Sequence, residues 1–144
     1  MADQIYFEDV NVGDELPEVV ETVDEVQMFF FSAATNNGHR IHYDAPYTTE
    51  VENRPNILVH GPLQAGLLAK MVTDWHGPAG HLRRFRIQNR GNAFPHENLY
   101  YGGTITDKRE EDGEALVDLD IYERNEGGDV LVPGAATVSL PRRS

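Results

Sequence analysis

The sequence contains no cysteine. This absence excludes disulfide bonds, thiol nucleophiles and cysteine-based zinc sites. The first residues also lack the basic segment and the apolar segment with which a secretory signal begins. Since disulfide-free proteins need no oxidising compartment, the two absences together favour a cytoplasmic location.

Long apolar runs and basic residues are both scarce. The longest apolar stretch, Ala65 to Val72, is interrupted by Lys70 and is shorter than the roughly 20 residues of a membrane-spanning helix. Only 12 Lys and Arg stand against 24 Asp and Glu, which gives a formal net charge of -12 at pH 7. Such a charge repels phosphates and anionic lipids, so we expect neither nucleic acid nor a membrane as a partner.

The composition is that of a folded chain of modest size. Hydrophobic residues make up 40% of the 144 residues and charged residues 25%, which is enough apolar material for one core. The chain shows no internal repeat, low-complexity tract or flexible linker. We therefore predict that residues 1–144 form a single domain.

Two helices are predicted from the spacing of apolar residues. Asp24 is a candidate N-cap for a short helix, which the segment from Thr35 to Gly38 ends, with Gly38 expected to adopt a positive φ. A longer helix is predicted from Gly61 to Trp75, with Pro62 in its first turn, where proline is tolerated.

After Gly80 the apolar period changes from helical to alternating. Four strands are predicted, at residues 82–89, 98–106, 115–123 and 130–140, and the earlier segment 16–23 is also β-prone. Asp112-Gly113 and Gly127-Gly128 are typical of hairpin connections. The expected architecture is α+β, an antiparallel sheet whose apolar face wraps the long helix and leaves an edge free for a partner subunit.

Polar side chains concentrate between Phe31 and Asp44, where the first helix leads into a loop. Loops held by a rigid scaffold are frequent locations of functional sites. Within this loop, His42 follows Ile41, and partial burial would keep its imidazole neutral and able to act as a base near pH 7. The same histidine would serve equally well as a hydrogen-bonding group for the loop backbone, and residue chemistry leaves both interpretations open.

The segment from Asn37 to Asp44 resembles the signature of the MaoC-like acyl-thioester hydratases and dehydratases, whose pattern is Gly-Asp-x-Asn-Pro-Ile-His-x-Asp. His42 and Asp44 match its final His-x-Asp. Asn37 stands in place of the usual catalytic Asp, and His39 and Arg40 replace the usual Asn and Pro.

This form of the signature is similar to the one found in a branch related to mitochondrial 3-hydroxyacyl-thioester dehydratases and mesaconyl-CoA hydratases. That resemblance continues from Val59 to Gly66, from Leu82 to Arg90, and at Phe94-Pro95. Together these segments cover roughly half of the chain in the family's order. The resemblance implies a hot-dog fold, in which one antiparallel sheet wraps a central helix.

The resemblance also implies an enzyme that adds water reversibly to a 2-enoyl-CoA and gives a 3-hydroxyacyl-CoA. His42 is then the expected acid and base. Asn37 cannot take up a proton and would only orient water through its amide. A backbone N–H near Gly61, at the start of the long helix, is the expected donor to the thioester oxygen.

Candidate substrate contacts are Arg40, His60, Arg84 and Arg86. Arg84 and Arg86 share one face of the predicted strand and suit the phosphates of coenzyme A, although a solvated outer face explains such a row as well. His39 and His42 form a His-x-x-His pair on a loop, without helical spacing, so we expect no metal and no cofactor.

Two other functions fit parts of the sequence. A hot-dog thioesterase is disfavoured, because residues 61–69 contain no Asp or Glu to serve as its carboxylate. A non-catalytic or partner-dependent subunit is favoured by the missing Asp but disfavoured by the retained His42. We expect a homodimer, a higher oligomer, or a complex with a paralogous hot-dog subunit. The identity of the acyl group, and the choice between coenzyme A and a carrier protein, stay open.

Overall fold

The computed structural model describes residues 3–144 and contains five strands and two α-helices. In chain order the elements are β1 (Val19–Glu21), α1 (Glu25–Ala34), α2 (Gly61–His76), β2 (His81–Ile87), β3 (Leu99–Glu111), β4 (Glu114–Arg124) and β5 (Val130–Ser139). Short 3₁₀ helices span Phe7–Asp9 and Arg40–His42, and one π-helical turn spans Tyr47–Val51. Within this described range no helix combines the length and the apolarity that crossing a membrane requires.

The five strands form one antiparallel sheet in the order β1-β3-β4-β5-β2. The long helix α2 packs on this sheet and contacts β2, β3, β4 and β5. Leu68 and Val72 of α2 and Val117 and Val138 of the sheet are fully buried in one hydrophobic core. This is the hot-dog architecture, and the predicted α+β class is confirmed.

The strand alternation predicts the faces of β4 correctly. Val117, Leu119 and Ile121 are buried, whereas Asp118 and Asp120 lie on the other face. The hairpin turns also form where they are expected: Asp112 and Gly113 have φ values of 52° and 79°, and Gly128 has 86°. Only glycine and a few short polar residues adopt such values without strain, which is why these positions punctuate the sequence.

Some boundaries differ from the prediction, each for a physical reason. Strand β3 extends to Glu111, beyond the predicted end at 106, because its polar half pairs with β4 and Arg109 forms ion pairs with Asp107, Glu111 and Asp118. The loop predicted after the first helix contains the 3₁₀ helix Arg40–His42. The expected positive φ is found at Asn36 (52°) and not at Gly38, so that prediction was wrong.

A buried acid connects the sheet to the first turn of α2. Glu123 continues the inner face of β4, is 0% exposed, and lies directly across from Tyr101 of β3. Its Oε1 accepts a hydrogen bond of 2.5 Å from Nε2 of the buried Gln64 in α2. Burial raises the pKa of Glu123, and the hydrogen bond from Gln64 opposes that rise. A polar bridge therefore crosses an otherwise apolar core.

We predict that Glu123→Ala lowers the free energy of unfolding by about 1–3 kcal/mol, because it leaves the buried amide of Gln64 without its acceptor. Glu123→Gln keeps a carbonyl oxygen at that position and should cost less. Glu50→Ala is the control, since Glu50 is exposed. Denaturant unfolding measures all three. Equal effects of Glu123→Ala and Glu50→Ala would show that the bridge contributes no stability.

Candidate active site

His42 ends the short helix Arg40–His42 and is only 8% exposed. Its Nδ1 lies 2.7 Å from the carbonyl oxygen of Leu58. A carbonyl only accepts, so Nδ1 carries the proton and Nε2 carries the lone pair. The N–H of Leu58 donates in turn to the carbonyl of Ile41 at 2.9 Å. The two bonds hold the loop and the 57–59 segment together and fix the orientation of the imidazole.

The surroundings of His42 keep it neutral. Burial lowers its pKa from the ordinary 6.5; the bond to Leu58 opposes this effect, and the neighbouring His39, whose ring centroid is 6.0 Å away, adds to it. Near pH 7 the side chain is therefore an unprotonated imidazole. Nε2 forms no hydrogen bond with any residue of the 3–144 range, so its lone pair is free to act as a base.

His60 lies directly behind His42, at the N-cap position of α2. Their rings stack with centroids 3.8 Å apart and planes inclined by 19°. The Nε2 of His60 lies 2.7 Å from Oγ of Ser32 in α1. His60 is 0% exposed, and burial lowers its pKa to about 4, with a smaller contribution from His42. Both histidines are therefore neutral at pH 7, and no cationic pair has to be buried.

A cavity of about 310 Å³ opens beside His42. Its lining comes from α1, from the histidine loop and from the segment before α2: Glu25, Val26, Phe29, His42, Tyr43 and Ile57. Glu25 is the one charged group in this lining, and its carboxylate binds His96 at 2.7 Å. The cavity is therefore an apolar space with a single neutral imidazole as its candidate catalytic group.

Asn37 lines a neighbouring cavity of about 220 Å³. Its Oδ1 accepts a hydrogen bond from the backbone N–H of His39 at 3.1 Å, and the backbone N–H of Asn37 donates to the carbonyl oxygen of Ser32 at 2.8 Å. Phe29 and Tyr43 line both cavities, so the cavity of Asn37 adjoins the cavity of His42. The predicted role of Asn37 in orienting water stays a prediction.

Gly61 is the first residue of α2, and its N–H has no acceptor within the helix. A Cβ at this position would lie 2.7 Å from Nδ2 of Asn89, closer than side-chain carbons come in proteins. A side chain here would therefore require the exposed side chain of Asn89 to move. The free N–H, at the positive end of the α2 dipole, is a suitable hydrogen-bond donor to a developing negative charge.

The three arginines proposed to bind substrate do not line the cavity of His42. Arg40 binds Asp44 at 2.7 Å and lies over the ring of Tyr47, 4.0 Å from its centroid. Arg84 and Arg86 are exposed on the face of β2 that points away from α2, beside a cavity of about 400 Å³. The structure therefore groups His42, His60 and Gly61, and it leaves the arginines apart.

Ser32 is the site residue that sequence analysis did not identify. It lies one turn after the fully buried Met28, so it continues the inner face of α1. A single polar residue on the buried face of a helix is the signal that would have indicated it. Among residues 3–144, no group of three or more His, Asp or Glu is arranged to hold a metal ion.

Known proteins resemble this chain in sequence. The family model of hydroxyacyl-thioester dehydratase type 2 matches residues 12–94, more than half of the chain and the part that contains His42, His60 and Gly61. The chain is 46% identical over 64 residues to a mesaconyl-C(4)-CoA hydratase of Chloroflexus aurantiacus, a match that covers 40% of this chain and 23% of that protein.

Two further comparisons extend over nearly the whole chain. It is 24% identical over 132 residues to the 3-oxo-4,17-pregnadiene-20-carboxyl-CoA hydratase beta subunit of Mycobacterium tuberculosis, covering 92% of this chain and 96% of that protein. The structure of the R-hydratase PhaJ1 from Pseudomonas aeruginosa superimposes with a TM-score of 0.85 at 20% identity, covering 97% of this chain and 88% of that one.

The length of the match differs among the relatives. The chain spans between 23% and 31% of the length of three of its curated relatives. The match to the family model, however, includes the histidine loop and the beginning of α2, the two segments that build the site. The chain therefore belongs to the hydroxyacyl-thioester dehydratase type 2 family.

Proposed function

We propose that the chain catalyses the reversible addition of water to a 2-enoyl-CoA, which gives a 3-hydroxyacyl-CoA. The observation that carries this proposal is the free Nε2 of His42, a neutral base beside an apolar cavity and the N-terminus of α2. The relatives named as hydratases and dehydratases support the same class of reaction.

In the hydration direction, Nε2 of His42 takes a proton from water while the water oxygen bonds to the β-carbon. The double-bond electrons move toward the thioester carbonyl and form an enolate. The protonated imidazole then returns its proton to the α-carbon and becomes neutral again. Dehydration follows the same steps in reverse, so a single histidine serves as base and acid in both directions.

The enolate oxygen needs a hydrogen-bond donor, and the N–H of Gly61 provides one at the positive end of α2. Asn37 would orient the attacking water from the adjoining cavity through its amide, without taking up a proton. Asp44 is engaged by Arg40, so no free carboxylate of the loop assists His42. His42 therefore performs the proton transfers alone.

The lining of the cavity indicates which acyl groups fit. Val26, Phe29 and Ile57 offer apolar contacts, and Glu25 would repel a carboxylate on the acyl group. We therefore propose a substrate with an uncharged acyl group. Arg84 and Arg86 stay candidates for the phosphates of coenzyme A, and reaching them requires the carrier to extend across the sheet. A cytoplasmic location stays a prediction.

A second candidate function is that of a partner-dependent subunit. The relative that matches along almost its full length is named a beta subunit, and Asn37 stands where the family signature has Asp. A paralogous hot-dog chain would then supply a carboxylate or complete the cavity. Without such a partner, we expect a homodimer or a higher oligomer of this chain.

We predict that His42→Ala lowers kcat for hydration of a 2-enoyl-CoA by about 100-fold or more, because general acid–base catalysis contributes that much. His81→Ala, on the exposed edge of β2, is the matched control and should retain turnover. Loss of the enoyl-thioester absorbance measures both. Unchanged turnover in His42→Ala would contradict the proposed function.

The pH dependence tests the same residue. Since the base must be neutral, and its pKa lies below the ordinary 6.5, kcat/KM for hydration should fall to half of its maximum at a pH below 6.5, where His42 takes up a proton. A decline centred above pH 6.5 would show that a different group, or a charged His42, limits the reaction.

The acyl cavity gives a separate prediction. Crotonyl-CoA and a longer neutral 2-enoyl-CoA should be hydrated with higher kcat/KM than mesaconyl-CoA, whose acyl group carries a carboxylate. Glu25→Gln removes the repelling charge and should raise kcat/KM for mesaconyl-CoA relative to crotonyl-CoA, whereas Glu50→Gln should leave the ratio unchanged. Faster turnover of mesaconyl-CoA by the unmodified protein would contradict an uncharged acyl group.

Measurements on the purified chain, without any partner, distinguish the two functions. We predict that light scattering finds a homodimer or a higher oligomer, and that this species hydrates crotonyl-CoA. A folded oligomer that is inactive with neutral and carboxylated 2-enoyl-CoA alike would instead favour a subunit that requires a partner.

A further inference from the structure

The pair formed by Ser32 and His60 has no part in the proton transfers described above, yet it is built into the centre of the site. We propose that Ser32 and His60 are positioning residues. Ser32 holds the neutral imidazole ring of His60, the imidazole wall, against the ring of His42. On this proposal His60 acts through His42 and not through contact with substrate.

The burial of His60 is the first argument. Its side chain is 0% exposed, so it offers no surface to a substrate in the adjacent cavity. One face of its ring covers His42 at 3.8 Å, and Phe31 lies near its ring at 4.8 Å between centroids. The ring therefore occupies space from which water would otherwise hydrate a protonated His42.

The hydrogen bond to Ser32 is the second argument. The Nδ1 of His60 is buried without a partner in the described part of the chain, whereas Nε2 lies 2.7 Å from Oγ of Ser32. A buried N–H without an acceptor is rarer than a buried lone pair without a donor. The proton of His60 is therefore on Nε2 and is donated to Ser32. Among the contacts of residues 3–144, this bond is the one polar contact of the ring, and together with the packing of Phe31 it fixes the ring.

The uncharged ring of His60 acts on His42 by excluding water and not through a charge. From its own loop His42 faces His39, at 6.0 Å between ring centroids, and from α1 it faces Glu25 across the cavity. Tyr43 lines the same cavity, and at the start of α2 the facing titratable group is His60 itself. Removing the wall would admit water to the buried face of His42 without adding or removing a formal charge.

The test is an NMR titration of the His42 C2 proton, which requires no substrate and therefore stands apart from the proposed function. Ser32→Ala removes the anchor and Ser32→Thr keeps the hydroxyl. His60→Ala removes the wall and His60→Phe keeps a flat ring. Ser139→Ala removes another buried serine hydroxyl, at the end of β5, and is the matched control.

We expect the pKa of His42 to rise toward 6.5 in Ser32→Ala, in His60→Ala and in His60→Phe, because each of these variants lacks the bond between Ser32 and His60. The pKa should stay at the value of the unmodified protein in Ser32→Thr and Ser139→Ala. An unchanged pKa in both alanine variants would overturn the proposal. So would an unchanged pKa in His60→Phe, because a ring would then exclude water without the bond to Ser32. Circular dichroism establishes that each variant is folded before titration, and the conservative pair carries the test should an alanine variant unfold.

Enzyme kinetics give a second measurement, which rests on the proposed function. The acid limb of kcat/KM for crotonyl-CoA should move to higher pH in Ser32→Ala, while KM at pH 8 stays unchanged, since Ser32 lines the adjoining cavity and not the acyl cavity beside His42. A large rise in KM at pH 8 would make Ser32 a substrate contact instead. Inactivity of the unmodified protein would contradict the proposed function and leave the NMR result valid.

Discussion

The site depends on one hydrogen bond, from Nδ1 of His42 to the carbonyl of Leu58. This bond decides which ring nitrogen carries the proton, and it leaves Nε2 as the free base beside the cavity. The reciprocal bond from Leu58 N–H to Ile41 joins the histidine loop to the segment that enters α2. A base and a helix N-terminus are thereby held at the same place, although 17 residues of chain lie between His42 and His60.

The rest of the site follows from burial. A charged imidazole is disfavoured where water is excluded, so the stacked His42 and His60 stay neutral together. The sheet contacts the same region through Glu123 of β4, which accepts a hydrogen bond from Gln64 in the first turn of α2. An acid within a core stabilises only when its partners are present, so this bridge connects the position of the helix start to the register of the sheet.

Individual elements show which parts of the structure can be predicted from the sequence. The helix α2 was predicted because its apolar residues recur at helical spacing, and the hairpin at Asp112-Gly113 because few residues tolerate its backbone angles. His42 and Gly61 were selected as candidate site residues by resemblance to a family; the family model matched at residues 12–94 shows the family, and the roles of the two residues stay predictions. Ser32 and Glu123 were not identified, because each stands in a pattern that otherwise reads as an ordinary helix or strand.

By itself, the sequence determined the α+β class, the positions of the long helix and the hairpins, and the family, since local periodicity and short motifs carry that information. Only the tertiary structure decided which side chains meet. It stacked His60 on His42, anchored His60 to Ser32, placed Asn37 in an adjoining cavity, and placed Arg84 and Arg86 on the far face of the sheet. The physical reason is that contacts between residues distant in sequence depend on strand register and helix packing, which no local pattern specifies.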